Sequence, residues 1–117
     1  MPVRVLIVDD DTAFRQRAAP LLAQRGYQVV GEAEDLEQAR AAIARARPDA
    51  LLLDVTLPDG DGVAFAQELA STGAAMRVLL TSSDADAVPA RLLGRSAAAG
   101  LVAKVDLAGA DLTRYLG

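Results

Sequence analysis

Four short apolar runs in this chain each end in polar groups suited to one reaction. Val3 to Val8 runs into Asp9-Asp10-Asp11, and Ala50 to Leu53 runs into Asp54. Met76 to Leu80 runs into Thr81-Ser82-Ser83, and Leu101 to Ala103 into Lys104. Runs of this length and composition read as buried strands. In an open parallel sheet, ligands bind outside the carboxyl ends of the strands, where the strand order reverses. Carboxylates, a hydroxyl and an ammonium would then converge at one rim. Two unit charges ~4 Å apart interact by roughly 4 kcal/mol at an effective dielectric of ~20, so the acids require a divalent cation and the lysine beside them. The set is sufficient for phosphoryl transfer to a carboxylate. An aspartate can act as nucleophile, a metal and a lysine can neutralise phosphoryl oxygens, and a hydroxyl can hydrogen-bond the product.

Composition narrows the chemistry. The chain has 117 residues, the size of one domain, and its 52% hydrophobic content can bury one core. Aromatics are only 3%, so Leu, Val, Ile and Ala must fill that core. There is no Cys and no His. Thiol catalysis, disulfides, zinc–cysteine sites and histidine acid–base chemistry are therefore excluded. A metal held by side chains must be held by oxygen, which favours Mg²⁺, Mn²⁺ or Ca²⁺. The net charge of −4, without a long basic run, disfavours direct nucleic-acid binding. No apolar stretch reaches membrane-spanning length. The first apolar run ends in aspartates rather than in a secretory cleavage site. A soluble cytoplasmic protein, in no contact with membrane, is the expectation.

The elements that must position these groups alternate. After the first strand, Phe14, Ala18, Leu21 and Leu22 mark one face of a first helix, kinked at Pro20 and stopped near Gly26. Tyr27 to Ala33 reads as a second strand. Asp35, with Gln38 three residues on, predicts a capped second helix ending before Pro48-Asp49. Ala50 to Leu53, apolar on both faces, predicts a central parallel strand. Leu57 to Gly62 reads as a loop, Val63 to Ala70 as a third helix, and Met76 to Leu80 as a fourth strand. A fourth helix is expected near Val88 to Arg95. Leu101 to Ala103 forms a fifth strand, and a weaker helix follows over Leu107 to Leu116. Strict alternation implies a doubly wound α/β fold: one parallel sheet with helices on both faces.

In this order, the segments Val5-Leu6-Ile7-Val8-Asp9-Asp10, Pro48 to Asp54, Leu57-Pro58-Asp59-Gly60-Asp61-Gly62, Leu80-Thr81-Ser82-Ser83 and Gly100-Leu101-Val102-Ala103-Lys104 resemble a bacterial two-component response-regulator receiver domain. The likeness spans nearly the whole chain, 1–117 as one receiver domain. It implies a flavodoxin-like five-stranded parallel sheet, order 2-1-3-4-5, with five helices. It implies Asp54 as phosphoacceptor, with Asp9 and Asp10 as the acidic pair for Mg²⁺ (Asp10 the more direct ligand) and Asp54 itself beside the metal. Thr56 would add its backbone carbonyl, and Lys104 would pair with the phosphoryl group. The switch hydroxyl falls on Ser82 or Thr81. Ser82 is favoured, because its spacing to Asp54 and Lys104 fits family members of this length without gaps. Thr56 and Asp84 would tune dephosphorylation. The chain departs from the family at Leu101, where an aromatic is usual, at Val105, where a proline is common after the lysine, and at Ala97, which replaces a common glycine.

The resemblance implies a sensor histidine kinase or histidine phosphotransfer protein as donor, with Mg²⁺ or Mn²⁺ as cofactor. It implies a switch that is no classical enzyme. A downstream protein target or an output domain of a longer regulator is expected; a homodimer is left open. Two rivals stand beside it. The same fold can serve as a phosphorylation-independent interaction module, a reading motivated by Leu101. An aspartyl phosphohydrolase would need a second acid two residues after its nucleophile, and Thr56 stands there.

Overall fold

A computed structural model describes residues 1–73, 75–83 and 98–117. Five parallel strands form the central sheet: β1 (Arg4–Val8), β2 (Gln28–Ala33), β3 (Ala50–Asp54), β6 (Arg77–Ser82) and β7 (Gly100–Ala103). Their order is β2-β1-β3-β6-β7, the arrangement the resemblance implies. Parallel strands need crossover connections, and these place helices on both faces. α1 (Thr12–Gln24) and a C-terminal helix (Leu112–Leu116) lie on one side, and α2 (Leu36–Ala46) and α3 (Gly62–Ser71) on the other.

Strand alternation divides the core in two. Leu6, Val8, Leu51, Leu53, Val78 and Leu80 pack with α2 and α3. Val5, Ile7, Ala50, Leu52 and Leu79 pack with Phe14, Ala18 and Leu22 of α1 and with Leu112 and Leu116. All five residues of β3 are buried, as befits a strand covered on both faces.

Local signals in the sequence explain the element ends. Asp11 caps α1 by accepting from the amides of Ala13 and Phe14. α1 runs on through Pro20 to Gln24. Gln16 and Pro20 are both exposed, so the helix bond that the proline removes lies on the solvent side of α1. Gly26, at φ +91°, takes the left-handed conformation that lets the chain turn after the helix. Asp35 accepts from the Gln38 amide at 2.8 Å, while the Gln38 side chain accepts from Glu34. The capping box thus closes one residue earlier than its usual form.

Two elements differ from the sequence reading. Residues 57–62 are not a plain loop: Thr56–Leu57 (β4) and Gly60–Asp61 (β5) pair as a small antiparallel hairpin. The region from 107 to 116 is not one helix. A 3-10 turn spans Lys104–Gly109, and Ala110 is extended at ψ 150° before the short C-terminal helix begins. The fourth helix expected over Val88 to Arg95 lies outside the described residues, as do Asp84 and Ala97.

Candidate functional site

The strand order reverses at β1, between β2 on one side and β3 on the other. The site lies at the carboxyl ends of β1 and β3, at this reversal. Asp9 follows β1 and is fully buried; Asp54 ends β3 and is 6% exposed. Lys104 follows β7 and reaches across the rim. Its Nζ lies 2.7 Å from Asp9 Oδ2 and 3.2 Å from Asp54 Oδ2. The Phe14 ring of α1 flanks the ammonium, its centroid 4.8 Å away. Asp9 Oδ1 accepts from the Asp11 amide at 2.9 Å, and Asp54 Oδ1 from the Thr56 amide at 3.2 Å. Asp10 is exposed at the mouth. Groups named from the sequence at three separate strand ends therefore meet in one pocket.

Burial pushes the Asp54 carboxyl above its ordinary value, and the charge of Asp9 adds to this; the Thr56 amide and Lys104 pull the other way without prevailing. Burial by itself lowers the Lys104 ammonium, but hydrogen bonding to Asp9 and the charges of Asp54 and Asp9 outweigh it, so Lys104 titrates above the usual lysine value. The same contact thus acts oppositely on its two partners, and on Asp54 desolvation wins.

Asp9, Asp10 and Asp54 each offer an oxygen, and these oxygens lie within 4.8 Å of one another. Three carboxylate oxygens gathered within that span could draw round one small divalent cation. An all-oxygen donor set matches Mg²⁺ or Mn²⁺.

The two candidate hydroxyls are placed differently. Thr81 pairs with Asp54 in the β3–β6 ladder and is fully buried. Among the described residues its Oγ1 has no hydrogen-bond partner. Ser82, also buried, pairs with Ala103. Leu101 is half-buried and packs against the cluster beneath α2 and α3. Thr56 is exposed at the start of the hairpin.

Supporting residues escaped the sequence reading. A Cβ on Gly62 would meet the Asp54 carbonyl oxygen at 2.1 Å, so only glycine fits there. Asp59 of the hairpin turn accepts from the first amides of α2, Leu36 at 2.9 Å and Glu37 at 3.1 Å. Arg15 of α1 is buried behind Asp9. Gly62 carries a faint signal in the Asp-Gly step before a helix; a buried arginine carries none. A groove of about 390 Å³, lined by Phe14, Arg17, Leu21, Val105 and Leu107 among others, leads to Lys104.

Fold and site together define an α/β signalling domain of the flavodoxin-like class. The chain belongs to the response regulator receiver domain family, whose model matches residues 5–113. It is 41% identical over 99 residues to the response regulator MprA of Mycolicibacterium vanbaalenii, covering 85% of this chain and 42% of that protein. It is 39% identical over 82 residues to the transcriptional regulatory protein PdtaR of Mycobacterium tuberculosis, covering 70% of this chain and 40% of that protein. The chain thus spans about two fifths of the length of these relatives. Among solved structures, the signal receiver domain of NarL from Mycobacterium tuberculosis superposes with a TM-score of 0.81 at 34% identity, covering 92% of this chain and 88% of that one. Receiver domains of response regulators are two-component signalling switches rather than classical enzymes. Among the described residues, no helix is long and apolar enough to cross a membrane.

Proposed function

We propose that the chain is a single receiver unit that accepts a phosphoryl group on Asp54 from a sensor histidine kinase or histidine phosphotransfer protein. One Asp54 carboxylate oxygen attacks phosphorus as the donor's N–P bond breaks. The acyl phosphate forms on Asp54, and the bonding pair leaves with the imidazole, which takes a proton. Mg²⁺, when bound by Asp9, Asp10, Asp54 and the Thr56 carbonyl, supplies charge neutralisation at the phosphoryl oxygens. Asp10 is its more direct ligand, because it is exposed while Asp9 is already paired with Lys104. Lys104, held between Asp9 and Asp54 and against Phe14, transfers its contact to the phosphoryl group. The groove beside α1 gives the donor an apolar seat next to Lys104.

Thr81 supplies the switch hydroxyl. Its register opposite Asp54 and its unpartnered buried Oγ1 support this assignment over Ser82. The new phosphate brings about −1.5 to −2 charge beside the buried carboxylate of Asp9. The hydroxyl and Lys104 close on it, which repacks β6 and β7 and changes the partner-binding face. The target is a downstream protein or an output domain of the same regulator.

The observation that carries the reading is the lysine bridge between two buried carboxylates at the reversal of strand order. Incubation with a small acyl-phosphate donor and Mg²⁺ tests it. Incorporation is expected in the wild type and none in Asp54→Asn; undiminished incorporation in that variant would reject the site.

A second reading is favoured by Leu101, a half-buried aliphatic packed against the core where the family usually carries an aromatic. In that reading the chain is a phosphorylation-independent interaction module. It requires equal partner affinity with and without the phosphodonor, and in Asp54→Asn.

A further inference from the structure

We infer that Arg15 is a positioning residue for the metal-binding acids, acting through the Asp9–Asp10 peptide; the inference rests on the Mg²⁺ reading above. Arg15 is 8% exposed, an unusual place for a guanidinium. Its fork is divided among three elements. Nη1 donates to the Asp9 carbonyl, Nη2 to Thr12 Oγ1 at 3.2 Å, and Nε to Glu32 Oε1 on β2 at 3.1 Å. Glu34 Oε1 lies 3.6 Å from Nη2. The rest of Asp9 is held as well: its amide donates to the Ala33 carbonyl at 2.9 Å, and its carboxylate is engaged by the Asp11 amide and Lys104. The Asp9 carbonyl belongs to the planar peptide that leads into Asp10. By fixing that plane, Arg15 orients the exposed carboxylate of Asp10 toward Asp54. A planar five-donor fork can do this; a lysine cannot.

Charge and positioning make opposite demands. A cation beside an acidic cluster repels a second cation, so simple removal of the Arg15 charge would tighten Mg²⁺ binding. Loss of a group that orients ligands weakens it, by about 10–100-fold in metal sites generally. Mg²⁺ titration by calorimetry on the whole chain, with folding checked by circular dichroism, separates the two. Arg15→Met and Arg15→Lys are both expected to bind Mg²⁺ at least about tenfold more weakly than the wild type. Arg15→Lys keeps the charge and the buried stem, and so covers a failure of Arg15→Met to fold. Equal or tighter binding in a folded variant overturns the inference, and failure of both to fold overturns it in favour of a purely structural role. A wild-type chain that takes up no Mg²⁺ overturns the metal reading instead. Amide exchange at Asp11 in metal-free protein then decides the positioning claim: faster exchange in the variants supports it, and unchanged exchange overturns it.

Discussion

Thr81 stands opposite Asp54 in the ladder between β3 and β6. Side chains alternate faces along a strand, so residues two apart share one. Asp9, Asp54, Thr81 and Lys104 each lie two residues beyond a member of the core packed under α1: Ile7, Leu52, Leu79 and Val102. Ser82 lies two beyond Leu80, which packs under α2 and α3. Within the strands, Asp54 and Thr81 therefore share the parity of one face and Ser82 has the other, while Asp9 and Lys104 follow just past their strand ends. Thr81→Val replaces a buried, unpartnered hydroxyl by a methyl of similar shape. Urea unfolding of the metal-free protein should show it more stable by about 1 kcal/mol, since a buried polar group without a partner costs ~1–3 kcal/mol. The same variant should still be phosphorylated, yet a stable phosphoryl mimic should no longer shift the amide resonances of β7. Ser82→Ala should leave that shift intact; the reverse pattern would return the switch to Ser82.

Burial of the Asp54 carboxylate should weaken the metal-free fold as pH rises. Its carboxyl titrates above the ordinary value of 3.8, chiefly through burial. A folded state that holds its proton more tightly than the unfolded chain loses stability as pH rises from the unfolded value through the folded one. Asp54→Asn carries no such charge, and Lys104 retains Asp9 at 2.7 Å. Thermal melts in chelator from about pH 3 to about pH 7 should show the variant gaining on the wild type as pH rises. A constant difference across that range would mean that burial of the charge is not the cause. Function is held here at a cost in stability, as is common at active sites.

Gly62 sets how closely α3 approaches the phosphoacceptor. Its amide donates to the Val55 carbonyl at 2.9 Å, and an added Cβ would lie 2.1 Å from the Asp54 carbonyl oxygen. That neighbour is backbone and cannot rotate away. Gly62→Ala should cost about 1–3 kcal/mol, the usual range for overpacking, and should slow phosphorylation by displacing Asp54. Unfolding curves and acyl-phosphate incorporation measured on the same preparation check both halves. Stability within 0.5 kcal/mol of wild type, about the scatter of neutral surface changes, would show that the loop yields freely.

Much of this was legible in the chain because period and punctuation agree. Ala50 to Leu53 has no polar face, which marks a strand covered on both sides. Asp11, Asp35 and Gly26 each sit where their cap or turn requires. The hairpin of β4 and β5 was not legible, since two-residue strands carry no periodicity and Pro58-Asp59-Gly60 reads equally as a loop. The break in the C-terminal helix did carry a signal, Gly109 before an extended Ala110, which the helical reading of 107–116 passed over. Within the site, residues at strand ends could be named from sequence, because strand ends are visible. Arg15 could not, since a buried arginine differs from a solvated one only in what surrounds it. Between Thr81 and Ser82 the two sequence signals point apart: spacing to Asp54 and Lys104 favours Ser82, and strand alternation puts Thr81 on the face of Leu79.

Asp59 ties the hairpin to α2, and through it the segment that carries Thr56. Its two oxygens accept from the Leu36 and Glu37 amides, the open end of a helix whose N-cap is Asp35. These amides draw the Asp59 carboxyl below its ordinary value of 3.8, with a smaller pull from Arg40. A depressed carboxylate stabilises the fold above its unfolded value, and the benefit is lost as pH falls through the lower, folded value. Asp59→Asn keeps the shape but neither the charge nor the second acceptor oxygen, so it should melt earlier than wild type at pH 7. The gap should close in the acid range, where wild-type Asp59 is itself protonated. If Thr56 depends on this tie, Mg²⁺ binding should weaken in the variant by a small factor at pH 7, well short of the loss in Asp10→Asn. Thermal melts across pH, paired with Mg²⁺ titration, check this. Earlier melting with undiminished Mg²⁺ affinity would confine Asp59 to capping α2.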